Sequence, residues 1–468
     1  MIENFVSLLE SNARCRAEKT ALVWEGGRLT WSELDRLASG FARHLAGQGV
    51  KAGERVAIVL PNRWNFVVAF MGILKLGATA APLNPLLKEE ELAELIADLK
   101  PKQVVKQVQA EPAVWHTAGA AKAPALILYT SGSTGRPKGA VFSHSALAFA
   151  NRSWGEPVMG LTPEDTVLAA LPLAHSLGLN GGLLAPLLLG ATVVLVERFT
   201  PEAVFDAVRK YRVTVFPGVA TIFRRLLNSP AFSDADFSSL RHAVSGAAPC
   251  PWELSKEWSD RTGTRIVRGY GMTELFRPIS YFADDPTDIP DAVGKPVPGV
   301  EIRIAEDGAA TSHGDTGELL IKSPAAMDGY LGDPEETQEV LVDGWFKTGD
   351  LATVSPEGFV CIVGRKRERI LRGGYSIFPQ EVEAVLLSHP AVAEAAVVGI
   401  PSPDLGEEIA AFLTLKPAAR ITTEELIAYC KERLAHYKYP RQVTILRELP
   451  RGPTGKIAKT ELIHEKIP

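Results

Sequence analysis

At 468 residues the chain is too long for a single hydrophobic core and implies two or three domains. A composition of 46% hydrophobic and 22% charged residues excludes a disordered chain, and the net charge of −5 leaves no footprint for nucleic acid or a membrane surface. Four scattered cysteines, Cys15, Cys250, Cys361 and Cys430, form no CxxC pair; this argues against a disulfide framework or zinc site and for a reducing, cytoplasmic compartment.

The N-terminus MIENFVSLLE has Glu3 ahead of any apolar run and no basic segment, so it does not read as a signal peptide. TALVWEGGRLTWSELDRLASGFARHLAGQGV then reads as strand, Gly-Gly turn, strand and amphipathic helix, with Thr30 as N-cap and Glu33 completing a capping box. RVAIVLPN is a buried strand, NFVVAFMGILKLG a helix ending at Gly77, and ATAAPLNP another strand. Such alternation predicts a parallel sheet with right-handed crossovers. Residues 100 to 123 lack regular patterning and read as a loop near Lys102 to Lys122.

A second βα block follows: DTVLAALPL, ATVVLVE, a helix from Pro201 to Tyr211, VTVFPGV, a helix from Thr221 to Asn228, HAVSGAAPC, a helix near Trp252 to Arg261, and TRIVRGYGMTE. It is expected to pack on the first. Thr166 to Val196 carries no Asp, Glu, Lys or Arg, but its glycines, prolines and His175 mark a buried helix and strand rather than a membrane span. From Val293 to Val363 short strands with Gly and Pro turns suggest a small barrel or distorted sheet. The charged run GRKRERI precedes a compact α+β unit that fills the rest of the chain.

The sharpest local signal is PALILYTSGSTGRPKG, residues 124 to 139, in which an apolar strand empties into small residues ending in Arg136 and Lys138. Backbone donors, hydroxyls and two cations can close around an anion there. The Walker spacing is not met at Gly132 or Gly135, which excludes a P-loop ATPase. A solvated Ser/Gly connector is the plainer alternative.

The string YTSGSTGRPKG closely resembles the phosphate loop of the adenylate-forming superfamily of acyl-CoA synthetases, luciferases and peptide-synthetase adenylation domains, and further motifs follow in the same order over nearly the whole chain. The resemblance implies an α/β fold: a large N-terminal domain over 1–365 with two βα-layered subdomains and a small barrel-like one, a hinge at 366–368, and a mobile α+β C-terminal domain over 369–468. It implies that Thr130, Ser131, Gly132, Ser133, Thr134, Gly135 and Lys138 hold the β- and γ-phosphates of ATP. In RGYGMTE, Gly269, Tyr270, Gly271 and Met272 would flank the adenine, Thr273 would bond the α-phosphate and Glu274 would ligate Mg²⁺. SGAAP would supply Gly246, Ala247 and Ala248 as the wall shared by adenine and acyl group, and Asp350 and Arg365 would serve the ribose.

In similar enzymes the lysine of TGKI bridges the substrate carboxylate and the α-phosphate, a role that falls here on Lys456. Gly373, Gly374 and Tyr375 resemble the pantetheine tunnel of CoA ligases. Arg367 stands where relatives usually carry Asp or Lys as the pivot, a departure from the pattern. The acyl pocket would be lined by His175, Phe216, Gly218, Val219, Leu275 and Phe276, with Gly246, Ala247, Gly269 and Met272 adjoining. These walls are mostly apolar and favour an uncharged medium-chain, alicyclic or aromatic acid; Arg268 and Arg277 nearby leave a dicarboxylate open. No Asp occupies the place that binds an amino group in amino-acid-activating relatives.

The expected activity is ATP-dependent formation of an acyl-adenylate and then a CoA thioester, with ATP, Mg²⁺ and CoA required. The alternatives are transfer to a carrier protein and a non-catalytic nucleotide-binding protein on the same fold. A lysine acetyltransferase acting on Lys456 is a further expected partner, because neutralising that charge would stop the first step.

Overall fold

The computed structural model describes residues 4–117, 119–130, 137–282, 285, 289–306, 309–310, 314–372, 375–451 and 457–462. By contact density the chain divides into unit one, Met1–Ile302 with Ile321–Phe346, and unit two, Arg303–Leu320 with Lys347–Pro468. The segment 366–368 lies inside unit two by this measure, because strand pairing groups residues without regard to changes in composition along the chain.

Unit one holds two large sheets. In the first the strand order is Gly329–Tyr330, Lys138–Ser143, Pro124–Thr130, Thr79–Pro82, Arg55–Ile58, Gln103–Val105. The last four run parallel, and Lys138–Ser143 turns back antiparallel on Pro124–Thr130. In the second the order is Ile266–Val267, His242–Ser245, Val215–Gly218, Thr166–Ala169, Thr192–Leu195, Thr20–Trp24, Gly27–Thr30, parallel except for the final hairpin. The first predicted strand therefore joins the second sheet, beside Thr192–Leu195, and not the sheet that follows it in sequence.

Local expectations translate directly into geometry where capping or periodicity decides. Helix Trp31–Gly47 starts at Thr30, whose hydroxyl accepts from Glu33 N at 3.2 Å while Glu33 accepts from Thr30 N at 2.8 Å. Helix Trp64–Leu76 is almost wholly buried, and Pro201–Tyr211 has the expected bounds. Helices Phe5–Cys15 and Glu89–Leu99 lie outside the expected elements; the second opens on three glutamates and buries only Leu95 and Leu99, a weak stripe. The apolar run before Val196 becomes short helical turns from Ser176 to Leu188 and the strand Thr192–Leu195, all within the fold. Among the described residues no helix is long and apolar enough to cross a membrane.

The short strands expected after Val293 form an open sheet path among the described residues, Ala309–Ala310, Glu301–Glu306, Gly317–Lys322, Trp345–Val354, Leu341–Val342, with Val360–Arg365 also paired to Trp345–Val354. The C-terminal part of unit two is a five-stranded sheet of Tyr375–Ile377, Ile370–Arg372, Gly406–Leu415, Val392–Ser402 and Gln442–Ile445. Its helices Pro379–Leu387 and Thr423–Arg433 contribute Val382, Leu386, Leu426 and Cys430 to a core with Val397 and Leu413.

Candidate active site

The hairpin that ends strand Pro124–Thr130 sets the width of the predicted phosphate loop. Thr130 faces Lys138 and Tyr129 faces Gly139 across the antiparallel pair. Ser131, Gly132, Ser133, Thr134 and Gly135 lie outside the described residues. At the far rim Lys138 Nζ sits 2.5 Å from Glu336 Oε1 and 5.4 Å from the centre of the Tyr330 ring. Tyr330 Oη donates to Glu274 Oε1 at 2.9 Å, and Glu274 is only 8% exposed.

One cluster thus ties the loop's lysine to the carboxylate of the YGMTE motif. Tyr330 is placed there because Gly329–Tyr330 pairs with the strand that follows Lys138, setting Tyr330 opposite Ala140. Glu336 is placed by helix Pro334–Val340, whose N-cap Asp333 accepts from Glu336 N at 3.0 Å. Neither residue was singled out from the sequence. The string GYLGDPEET signals a turn and a helix start, and nothing local shows that it folds back onto Lys138 and Glu274.

The second part of the site lies at the carboxyl ends of three parallel strands, Val215–Gly218, His242–Ser245 and Ile266–Val267, where α/β sheets characteristically bind ligands. Gly218 is level with Ser245, and Gly246 follows, buried. Ala247 takes a φ of +62°, unusual for a residue with a Cβ, as the chain leaves the sheet. Ala247 and Ala248 are exposed. Strand Gly269–Met272 then pairs antiparallel with Phe276–Ser280 around the single turn Thr273–Leu275.

This turn is tight. A Cβ on Gly271 would lie 2.0 Å from the Phe276 carbonyl oxygen, so only glycine fits. Phe276 has φ 56° and ψ −112°, a conformation that costs about 1–3 kcal/mol and persists only where packing enforces it. Its ring packs on Phe142 at a centroid distance of 4.7 Å. Tyr270, Met272 and Thr273 are half-buried, and Glu274 and Leu275 are buried. His175 is half-buried at the start of helix Ser176–Leu179, and Val219 stands just before helix Ala220–Leu227. Phe216 is fully buried in the core against Phe223, 5.4 Å between centroids, and so is set back from the strand ends.

The two arginines near these walls differ in where they are held. Arg268 bonds the carbonyls of Ile289 and Pro290. Arg277 is buried beneath Gly246 and Gly269: a Cβ on Gly269 would lie 2.4 Å from the guanidinium carbon. Its Nε donates to Ser280 Oγ at 3.0 Å, Nη1 to the Ser245 carbonyl at 2.8 Å and Nη2 to the Val267 carbonyl at 3.2 Å, and it stacks 4.7 Å over the Trp154 ring. Burial pulls its pKa down to about 9.

In unit two, Asp350 and Arg365 face each other across strands Trp345–Val354 and Val360–Arg365, with Arg365 Nε 3.3 Å from Asp350 Oδ1. Either side of residue 367, Lys366 pairs with Glu318 at 2.9 Å and Glu368 with Lys459 at 2.8 Å; Lys459 also pairs with Glu383 at 2.8 Å. Burial works against the Lys459 charge, yet the two carboxylates outweigh it and hold its pKa above the ordinary value. Tyr375 is 55% exposed and stacks on Tyr437, 4.4 Å between centroids. Gly373, Gly374, Lys456 and the Arg367 side chain lie outside the described residues.

Among the described residues no group of three or more His, Cys, Asp or Glu side chains is arranged to hold a metal ion. A single buried carboxylate, Glu274, suits Mg²⁺ only where phosphate oxygens complete its shell.

The AMP-binding enzyme model matches residues 9–122 and 109–331, and the model of the AMP-binding enzyme C-terminal domain matches residues 381–456. The chain is 36% identical to a feruloyl-CoA synthase of an Amycolatopsis species over 96% of each chain. It is 31% identical to a long-chain-fatty-acid–CoA ligase of Bacillus subtilis, over 98% of this chain and 94% of that one. The fold matches the crystal structure of ATP-bound MatB from Rhodopseudomonas palustris with a TM-score of 0.91 at 30% identity, covering 98% of each chain. The matches to both family models over most of the chain, and to CoA ligases along nearly all of it, show that this chain belongs to the adenylate-forming AMP-binding enzymes and is an AMP-forming acyl-CoA synthetase.

Proposed function

We propose that the protein converts a compact carboxylic acid, with a medium-chain, alicyclic or aromatic body, to its CoA thioester through an acyl-adenylate. The observation that carries the residue roles is the single cluster joining Lys138, Glu336, Tyr330 and Glu274. In the first step a carboxylate oxygen of the acid attacks the α-phosphorus of ATP and the bond to pyrophosphate breaks. Lys138 exchanges Glu336 for the β- and γ-phosphate oxygens, Thr130 and the loop after it supply further donors, and Thr273 orients the α-phosphate. Glu274, oriented by Tyr330, would hold Mg²⁺, which would neutralise phosphate charge. Asp350 accepts from the ribose hydroxyls, with Arg365 beside it.

Lys456 supplies the cation at the reacting oxygens in this step. In the second step the CoA thiol attacks the acyl carbonyl and AMP leaves, with Gly373, Gly374 and Tyr375 lining the pantetheine path. Exchange between the steps occurs by rotation about residues 366–368, and the protein works in the cytoplasm, where its cysteines stay reduced. Acetylation of Lys456 would block the first step alone.

The supporting experiment measures the half-reactions separately. Gly374→Leu is expected to retain acid-dependent pyrophosphate release while losing thioester formation; undiminished CoA turnover would remove the tunnel role. Replacing CoA with a carrier protein bearing phosphopantetheine is expected to give no transfer.

A further inference from the structure

The acyl end of the site contains a buried positive charge that no carboxylate among the described residues pairs. Arg277 is 8% exposed, and among the described residues no carboxylate pairs with it. Its acceptors are two backbone carbonyls and one hydroxyl, all neutral, and its guanidinium face rests on Trp154. An isolated cation out of water is strongly unfavourable unless it is paired. Even pulled down to about 9, it keeps its proton at neutral pH.

The position of this charge is equally specific. The side chain lies under Gly246, where a Cβ would approach Nη1 to 3.1 Å, and under Gly269, where a Cβ would collide with it. These two glycines belong to the strand end and hairpin that wall the site. A guanidinium has five N–H groups in a planar fork, and the bonds to Ser280, Ser245 and Val267 use one on each nitrogen, leaving one on Nη1 and one on Nη2. The two remaining N–H donors equal in number the two oxygens that a carboxylate presents to a guanidinium.

We propose that Arg277 is the specificity-determining residue of the acyl site and that the acid it selects carries a second, distal carboxylate. The first carboxylate is adenylated; the second supplies the counter-charge that no described residue provides. This rests on the acyl-activating reading above and names the far end of its substrate. A monocarboxylic acid of the same carbon skeleton leaves the buried cation unpaired, and so binds less well. Discrimination of this kind is large, because the penalty falls on an unpaired buried charge rather than on a missing contact.

The test is acid-dependent pyrophosphate release by the full-length protein, with matched pairs: hexanoate against hexanedioate, cyclohexanecarboxylate against cyclohexane-1,4-dicarboxylate, and benzoate against the three benzenedicarboxylates. At least one diacid is expected to exceed its monoacid partner in kcat/KM by roughly 30-fold or more. Arg277→Met is expected to reverse that preference, and Arg277→Lys to retain the charge preference at a higher KM. Monoacids turned over as well as or better than every matched diacid by the unaltered protein would overturn the proposal, whether or not the variants fold. Failure of every acid to release pyrophosphate would instead strike the acyl-activating reading.

Discussion

Two cations of unit one, Lys138 and Arg277, stand at different parts of the site and are handled in opposite ways. Lys138 keeps a carboxylate partner, Glu336, at 2.5 Å, and both side chains retain some exposure, 13% and 22%. Arg277 lies under two glycines and, among the described residues, has neutral acceptors only. A paired, partly wet lysine can trade one anion for another at small cost, as suits a site that takes up and releases pyrophosphate in every turnover. A buried arginine that no described carboxylate pairs would, on the proposal above, favour a ligand that supplies the counter-charge. On the proposed roles, the corner at Lys138 would serve exchange and the wall at Arg277 selection.

Breaking that comparison starts with the step both regions serve. Lys456→Ala is expected to lower acyl-adenylate formation by about 10³-fold while thioester formation from supplied acyl-adenylate persists; equal loss in both half-reactions would remove the assigned role. Lys138→Met is expected to raise KM for ATP by roughly 30-fold with little change in KM for the acid, because its loss touches only the leaving group. A matching rise for the acid would show that the two regions are not separable.

Smaller effects sharpen the picture. Gly271→Ala forces a methyl group against the Phe276 carbonyl and should reduce unfolding stability by about 1–3 kcal/mol, read by denaturant midpoint. Tyr330→Phe removes the hydrogen bond to Glu274 and is expected to lower kcat about fivefold, the equivalent of about 1 kcal/mol. No change in kcat would mean that Glu274 holds its orientation without Tyr330.

What the sequence made legible follows from range. Capping boxes, turn glycines and the strand before the phosphate loop are local, and the Thr30–Glu33 box and the Pro124–Thr130 strand appear as expected. The YGMTE segment was legible as a motif, but its geometry was not: the tight turn and the strained Phe276 depend on Phe142, which belongs to the other sheet. Tyr330 and Glu336 were missed because their significance arises from pairing with Glu274 and Lys138, far apart in the chain. Nothing local assigns the first strand to a sheet other than that of the strands that follow it, and parallel pairing with Thr192–Leu195 carries it into the second sheet. Sheet membership is a long-range property, and hydrophobic periodicity is silent on it.

Arg277 shows the same limit from another side. In the sequence it is one charged residue just after the YGMTE motif, and an apolar reading of the surrounding walls favours an uncharged acid. Only the fold reveals that its charge is enclosed and that no carboxylate among the described residues pairs with it. The apolar walls still set the body of the substrate; the arginine bears on its far end.

The most direct measurement of the central claim follows pyrophosphate, AMP and thioester together while an acid panel is presented with ATP and Mg²⁺, first without CoA and then with it. The account predicts an acid-dependent burst of pyrophosphate near one equivalent per protein without CoA, and steady release of AMP and thioester in equal amounts once CoA is added. AMP release at the same rate without CoA, or thioester formation accompanied by ADP, would contradict it.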